Sequence, residues 1–167
     1  MKKTSALFLI LGLAWVSLAS AGSLLVASCS SCGYQSEELE FGYGESPVFC
    51  RGIYSSADWG VVLVVRFNLA LMMADRLGVD LSDADYYRYQ EFINENKSEY
   101  KKLKMTWFPS REILADDLPV GADIFPPQGY SGIPPQLTFI DNPLEELYLC
   151  PQCGKKTLSF KSVGEWD

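Results

Sequence analysis

The chain has 167 residues, 48% of them apolar and 13% aromatic, so one compact domain with a real core is expected and disorder is not. Its net charge of −7 argues against nucleic acid as a partner, because neutralising phosphates needs clustered Lys and Arg. It has no histidine, which excludes imidazole acid–base chemistry, His-based triads and mixed Cys/His metal sites.

Residues 1–21 have the parts of a secretory signal. Lys2 and Lys3 form a positive start, Ala6 to Val16 an apolar stretch, and Ala19-Ser20-Ala21 a small-x-small cleavage site. The mature chain is expected to begin near Gly22 and to be exported, to the periplasm or the exterior. A retained membrane anchor would need a longer apolar run. Val26-Ala27-Ser28-Cys29 also fits a bacterial lipobox, which would turn Cys29 into a lipid anchor and remove its thiolate.

Leu24 to Ala27 reads as a strand running into Cys29-Ser30-Ser31-Cys32-Gly33-Tyr34. Glu38 to Tyr43 alternates Leu39, Phe41 and Tyr43 with polar or small residues, the period of a half-buried strand. Together they make a first hairpin, with Glu37, Glu38 and Glu40 on a solvated face and a cation-binding carboxylate group as the alternative. Cys50 is the odd cysteine. Beside Arg51 but with no histidine to act as base, it reads as a buried free thiol, with intermolecular pairing or reactivity as alternatives.

Trp59 to Leu77 is the strongest apolar stretch after the signal. Arg66 and Asn68 interrupt it, so a membrane span is not expected. Asp58 as N-cap and Gly78 as C-cap favour one buried helix, although the valine run leaves a strand reading for its first half. Met72 and Met73 are expected as core filler. Ser82, with Asp85 three residues on, suggests a capping box opening an amphipathic helix from Asp83 to about Leu103. Lys101, Lys102 and Lys104 suit its C-terminal end. Trp107-Phe108-Pro109 closes that region, and Ser110 to Ala115 suggests a further helical turn. Asp116 to Gln136 is a Pro/Gly-rich loop, expected to be packed, with partner recognition as the alternative. Leu137 to Ile140 reads as a short strand. Leu144 to Leu149 and Thr157 to Phe160 form a second hairpin around Cys150-Pro151-Gln152-Cys153-Gly154-Lys155. Trp166 is expected to pack over the site these cysteines make, with fraying of the last residues as the alternative.

The two cysteine pairs organise this reading. Two thiolates two residues apart can bind one ion while the turn between them aims its amides at the sulfurs. The glycine after each second cysteine permits positive φ where the turn reverses. Two such knuckles facing each other give a Cys₄ site from Cys29, Cys32, Cys150 and Cys153, with disulfides or free thiols as the alternative.

Cys-x-x-Cys-Gly-Tyr near the start and Cys-Pro-x-Cys-Gly near the end resemble the two knuckles of the zinc-ribbon and rubredoxin-like families. That resemblance implies short β-hairpins and zinc or iron held by the same four cysteines. With Gly42-Tyr43-Gly44, the chain is also similar to small bacterial zinc-ribbon proteins without an assigned activity. The likeness covers the knuckles only. About 120 residues separate them, a loop whose closure costs only about 4 kcal/mol because the cost grows logarithmically.

The expected fold is α+β: a small antiparallel zinc ribbon of two β-hairpins with a mainly α-helical insertion. Residues 22–167 form one domain, with ribbon halves 22–46 and 137–167 and the insertion at 47–136. The expected function is an exported, Zn²⁺-stabilised binding or interaction module for a protein or small-molecule partner. Thiol–disulfide exchange through the C-x-x-C pairs, or rubredoxin-like electron transfer with iron, are the alternatives. No constellation of carboxylates suggests a reaction, so no catalytic residue is named.

Overall fold

The computed structural model describes residues 22–43, 46–106, 112–114 and 117–166. The signal sequence, Gly44 and Trp107-Phe108-Pro109 lie outside them. The described chain is α+β, with two antiparallel sheets and three helices.

The first sheet joins the two ends of the described chain. Strand β1 (Gly22–Cys29) is flanked by β2 (Leu39–Phe41) and by β9 (Lys156–Trp166), and β9 carries β8 (Tyr148–Leu149) on its other side. Both expected hairpins are present: Leu25 faces Leu39 across β1 and β2, and Tyr148 faces Leu158 across β8 and β9. The long β1–β9 pairing, from Gly22 opposite Trp166 to Cys29 opposite Leu158, joins them into one sheet.

The second sheet lies at the centre of the molecule. It orders β5 (Glu112–Leu114), β7 (Gln136–Ile140), β3 (Phe49–Ser56), β4 (Val61–Asn68) and β6 (Ala122–Phe125). The insertion is therefore not mainly helical, and the first half of the Trp59–Leu77 stretch is a strand. The reason is burial on both faces. Leu63, Val65 and Phe67 of β4 face one core, while Val62 and Val64 face the other. A strand covered on both sides reads as a continuous apolar run and loses the alternation that distinguishes it from a helix. Its β-branched valines suit the pleated conformation.

Helix α1 (Leu69–Leu77) begins only after β4 ends. Its N-cap is Asn68, not Asp58: the buried Asn68 side-chain oxygen accepts from the amides of Ala70 and Leu71 at 3.0 and 3.1 Å. Gly78 closes it in the left-handed conformation, at φ 66°. Met72 and Met73 are buried, as core filler should be. The single helix expected from Asp83 to Leu103 is two, α2 (Tyr86–Glu95) and α3 (Lys97–Thr106). Asp85 caps α2, accepting from the Arg88 amide, whereas Ser82 donates to Asp80 in a turn before it. Asn96 separates the helices and returns its side-chain amide to the Phe92 carbonyl.

The Asp116–Gln136 loop contains β6, which pairs with β4, and it is pinned by Tyr130. That ring stacks on Trp59 and its hydroxyl donates to the Trp59 carbonyl at 2.8 Å. Residues 112–114 form strand β5, paired with β7, where a helical turn was expected. Strand β7 pairs with β3 and β5, so residues 136–140 belong to the central sheet and not to the ribbon half.

Three layers result. The helices cover one face of the central sheet, burying Cys50, Tyr54, Phe67, Leu69 and Leu103. The first sheet covers part of the other face, where its Leu25, Ala27, Leu158 and Phe160 meet Ile53, Val62 and Ile140. A fully buried aliphatic side chain contributes about 2 kcal/mol by leaving water, so this contact is a substantial share of the fold.

Candidate metal centre

Both knuckles lie at one end of the first sheet. At the end of β1 the chain turns so that the Gly33 amide donates to the Cys29 carbonyl at 3.0 Å and the Cys29 amide to the Tyr34 carbonyl at 2.9 Å. After β8 the same two bonds recur: Gly154 amide to Cys150 carbonyl, and Cys150 amide to Lys155 carbonyl, both 2.8 Å. Gly33 and Gly154 have φ of 77° and 69°, and a Cβ at either would meet nothing within 4 Å. Backbone conformation, not lack of space, calls for glycine there.

The β1–β9 register faces these turns toward each other. The Sγ atoms of Cys29, Cys32, Cys150 and Cys153 all lie within 4.8 Å of one another. Two cross-knuckle pairs, Cys29 with Cys153 and Cys32 with Cys150, are 3.7 Å apart. Four sulfurs about 2.3 Å from a tetrahedral ion are about 3.8 Å from each other, so the spacing suits such an ion. The cluster can chelate a metal, in a zinc-ribbon or rubredoxin-like arrangement. Cys29 and Cys150 are buried, Cys153 is half-buried and Cys32 is exposed, so the site sits at the edge of the core with one ligand toward solvent.

Hydrogen bonds prepare the sulfurs for this. The Thr157 hydroxyl lies 3.1 Å from the Cys29 sulfur and is the main reason its thiol is lowered to about 6; the amides of Cys32 and Ser31 act the same way, against burial. The Tyr34 amide pulls the Cys32 thiol down, but partial loss of hydration at this otherwise exposed sulfur and the three neighbouring sulfurs outweigh it and push that thiol up to about 12. Crowded sulfurs resist ionising together, and a divalent cation relieves that repulsion.

Sequence reasoning missed two residues that serve the site. Thr157 reaches Cys29 from the opposite end of the chain, a meeting that local spacing does not signal. Tyr34 belongs to the first knuckle by spacing alone; its hydroxyl accepts the Val62 amide at 2.8 Å and ties that knuckle to the central sheet. Trp166, expected over the metal site, sits at the far end of the β1–β9 pair. There its indole NH donates to the Phe41 carbonyl at 3.2 Å and its ring carries Arg51 at 4.0 Å. Cys50 stands apart on the helix-covered face, buried and free, its thiol pushed up to about 12 by burial. Of the three glutamates expected on a solvated face, Glu37 and Glu38 are exposed and Glu40 pairs with Arg51.

No family model, curated protein or solved structure matches this chain. The reading of the site therefore rests on its geometry and its donor set. Among the described residues, no helix is long and apolar enough to cross a membrane.

Proposed function

We propose that the protein is an exported binding or interaction module whose two ends are clasped by one Zn²⁺ on Cys29, Cys32, Cys150 and Cys153. The carrying observation is the convergence of four sulfurs, within 4.8 Å, on two equivalent knuckles. Bound zinc supplies a closed tetrahedral cross-link without redox chemistry, which suits a role in holding structure. Structural zinc contributes roughly 10–16 kcal/mol in peptide systems, well above the roughly 4 kcal/mol needed to close a loop of this length.

Two observations favour this reading over its rivals. The two C-x-x-C pairs sit in turns between strands and face each other with all four sulfurs within 4.8 Å, whereas a redox pair typically stands alone at a helix N-terminus. Lipidation at Cys29 would remove a ligand together with most of β1, the strand that pairs with both β2 and β9.

The test is metal and thiol analysis of mature protein purified without added metal, with its mass determined intact. One zinc per chain, thiols released only by chelation or denaturation, and a chain starting at Gly22 are expected. Iron in the same site would replace the clasp with electron transfer. No metal and two disulfides would replace it with thiol exchange, and a lipidated Cys29 would end the four-ligand reading.

A further inference from the structure

The first sheet covers only part of the central sheet, and a groove runs along the boundary. It has two lobes of about 310 and 270 Å³, which share Glu38, Val64 and Phe125. One wall is the segment from Tyr34 to Leu39, which leaves the first knuckle. The other is Phe125 with Pro126 and Pro127. The floor is β4 from Val61 to Val64, about 10 Å of strand at the usual rise, enough for three or four extended residues.

The floor is open for a local reason. Strand β6 pairs with β4 only from Val64 to Phe67, opposite Phe125 to Ala122. Pro126 and Pro127 have no amide to donate, so the pairing stops and Val61 to Leu63 have no β6 partner. Within that stretch the Val62 amide is taken by the Tyr34 hydroxyl. The apolar surface of the groove is that of Val64 and Phe125, beside a wall that also carries Gln35, Ser36, Glu37 and Glu38. Phe125, at the junction of the lobes, is 45% exposed.

Charge selects the occupant. Glu37 and Glu38, on the rim, are exposed and make no ion pair among the described residues. The nearby cations are already engaged: Arg51 with Glu40, and Arg66 with Asp123 at 2.7 Å. The chain as a whole carries −7. An acidic segment would meet repulsion, while a basic one finds free carboxylates above an apolar floor.

We propose that this groove binds an extended basic segment of a partner protein. Lys or Arg side chains meet Glu37 and Glu38, and an intervening apolar side chain rests on Phe125. This rests on the Cys₄ reading, because the Tyr34–Leu39 wall hangs from the first knuckle and the metal holds that wall in place.

The probe is the blocked peptide Lys-Val-Lys-Val-Lys, with Glu-Val-Glu-Val-Glu as its control, titrated into metal-replete mature protein and followed by backbone amide NMR. The lysine peptide is expected to shift Val61 to Val64 and Phe125 and to bind more weakly as salt is raised; the glutamate peptide is expected to shift neither. The variant Glu37→Gln/Glu38→Gln is expected to keep its metal and lose about tenfold in affinity, the scale of two exposed ion pairs. Equal binding of both peptides, undiminished binding by the variant, or shifts confined to another face would overturn the proposal. So would the same shifts appearing with protein concentration alone, which would make the occupant a second copy. A protein that holds zinc but ignores the lysine peptide sinks the groove and leaves the clasp. One that holds no metal yet binds the peptide at these residues sinks the clasp and, with it, the claim that a metal holds this wall in place.

Discussion

At the scale of residues, the candidate metal centre draws on groups other than its four cysteines. The Thr157 hydroxyl stabilises the Cys29 thiolate from 3.1 Å. Thr157→Val removes that donor while keeping the shape, so zinc affinity, measured by competition with a chromophoric chelator, is expected to fall about tenfold, and Thr157→Ser to restore it. Unchanged affinity in the valine variant would remove Thr157 from the site. Cys50 behaves oppositely. Burial raises its thiol from an ordinary value of 9.0 to about 12, so the folded state favours the protonated form. Its contribution to stability is complete below about pH 9 and declines as pH rises from there toward 12, because the unfolded chain ionises first. Burial raises Tyr43 and Tyr100 to about 12 with the same sign. Urea midpoints are expected to fall between pH 8 and pH 10.5, less steeply in Cys50→Ala. Native Cys50 is expected to resist a maleimide at pH 8, and rapid labelling there would contradict its burial.

At the scale of elements, junctions matter more than interiors. Asn68 ends β4 and starts α1, and its buried oxygen satisfies two helix amides. Asn68→Ala leaves both without that partner and is expected to cost about 1–2 kcal/mol, a Tm drop of several degrees by calorimetry. No loss of Tm would mean that water or the backbone replaces the cap. Tyr34 joins two elements from different sheets. Tyr34→Phe leaves the Val62 amide without its acceptor and is expected to cost about 1–3 kcal/mol, with faster hydrogen exchange at Val62 as the local signature.

For the whole molecule, a metal held by the four cysteines would act on layer order. The sheet that carries the four cysteines also covers Ile53, Val62 and Ile140 of the central sheet. Chelation is expected to speed hydrogen exchange in β1, β8 and β9 before it affects β3 and β4, and to raise binding of an apolar dye as that face opens. Uniform loss of protection would show that the clasp holds the entire core as one cooperative unit. Retained protection throughout would show that packing alone suffices.

Local chemistry was legible without a structure. The knuckles, the two hairpins beside them, the Gly78 cap, the buried Met72 and Met73 and the isolated burial of Cys50 all follow from signals within a few residues: spacing, alternation, and the conformational freedom of glycine. What local signals cannot carry is the identity of the covering layer. The valine run of β4 became a strand because sheet and helices cover its two faces. Trp166 went to the far end because the β1–β9 register put Gly22 and not Cys29 opposite it. Thr157 and Tyr34 gained their roles across 128 and 28 positions of chain. Residue type set what each group can bond. Tertiary pairing decided which group it meets, because burial and strand register are properties of the assembled layers and leave no mark on neighbouring sequence.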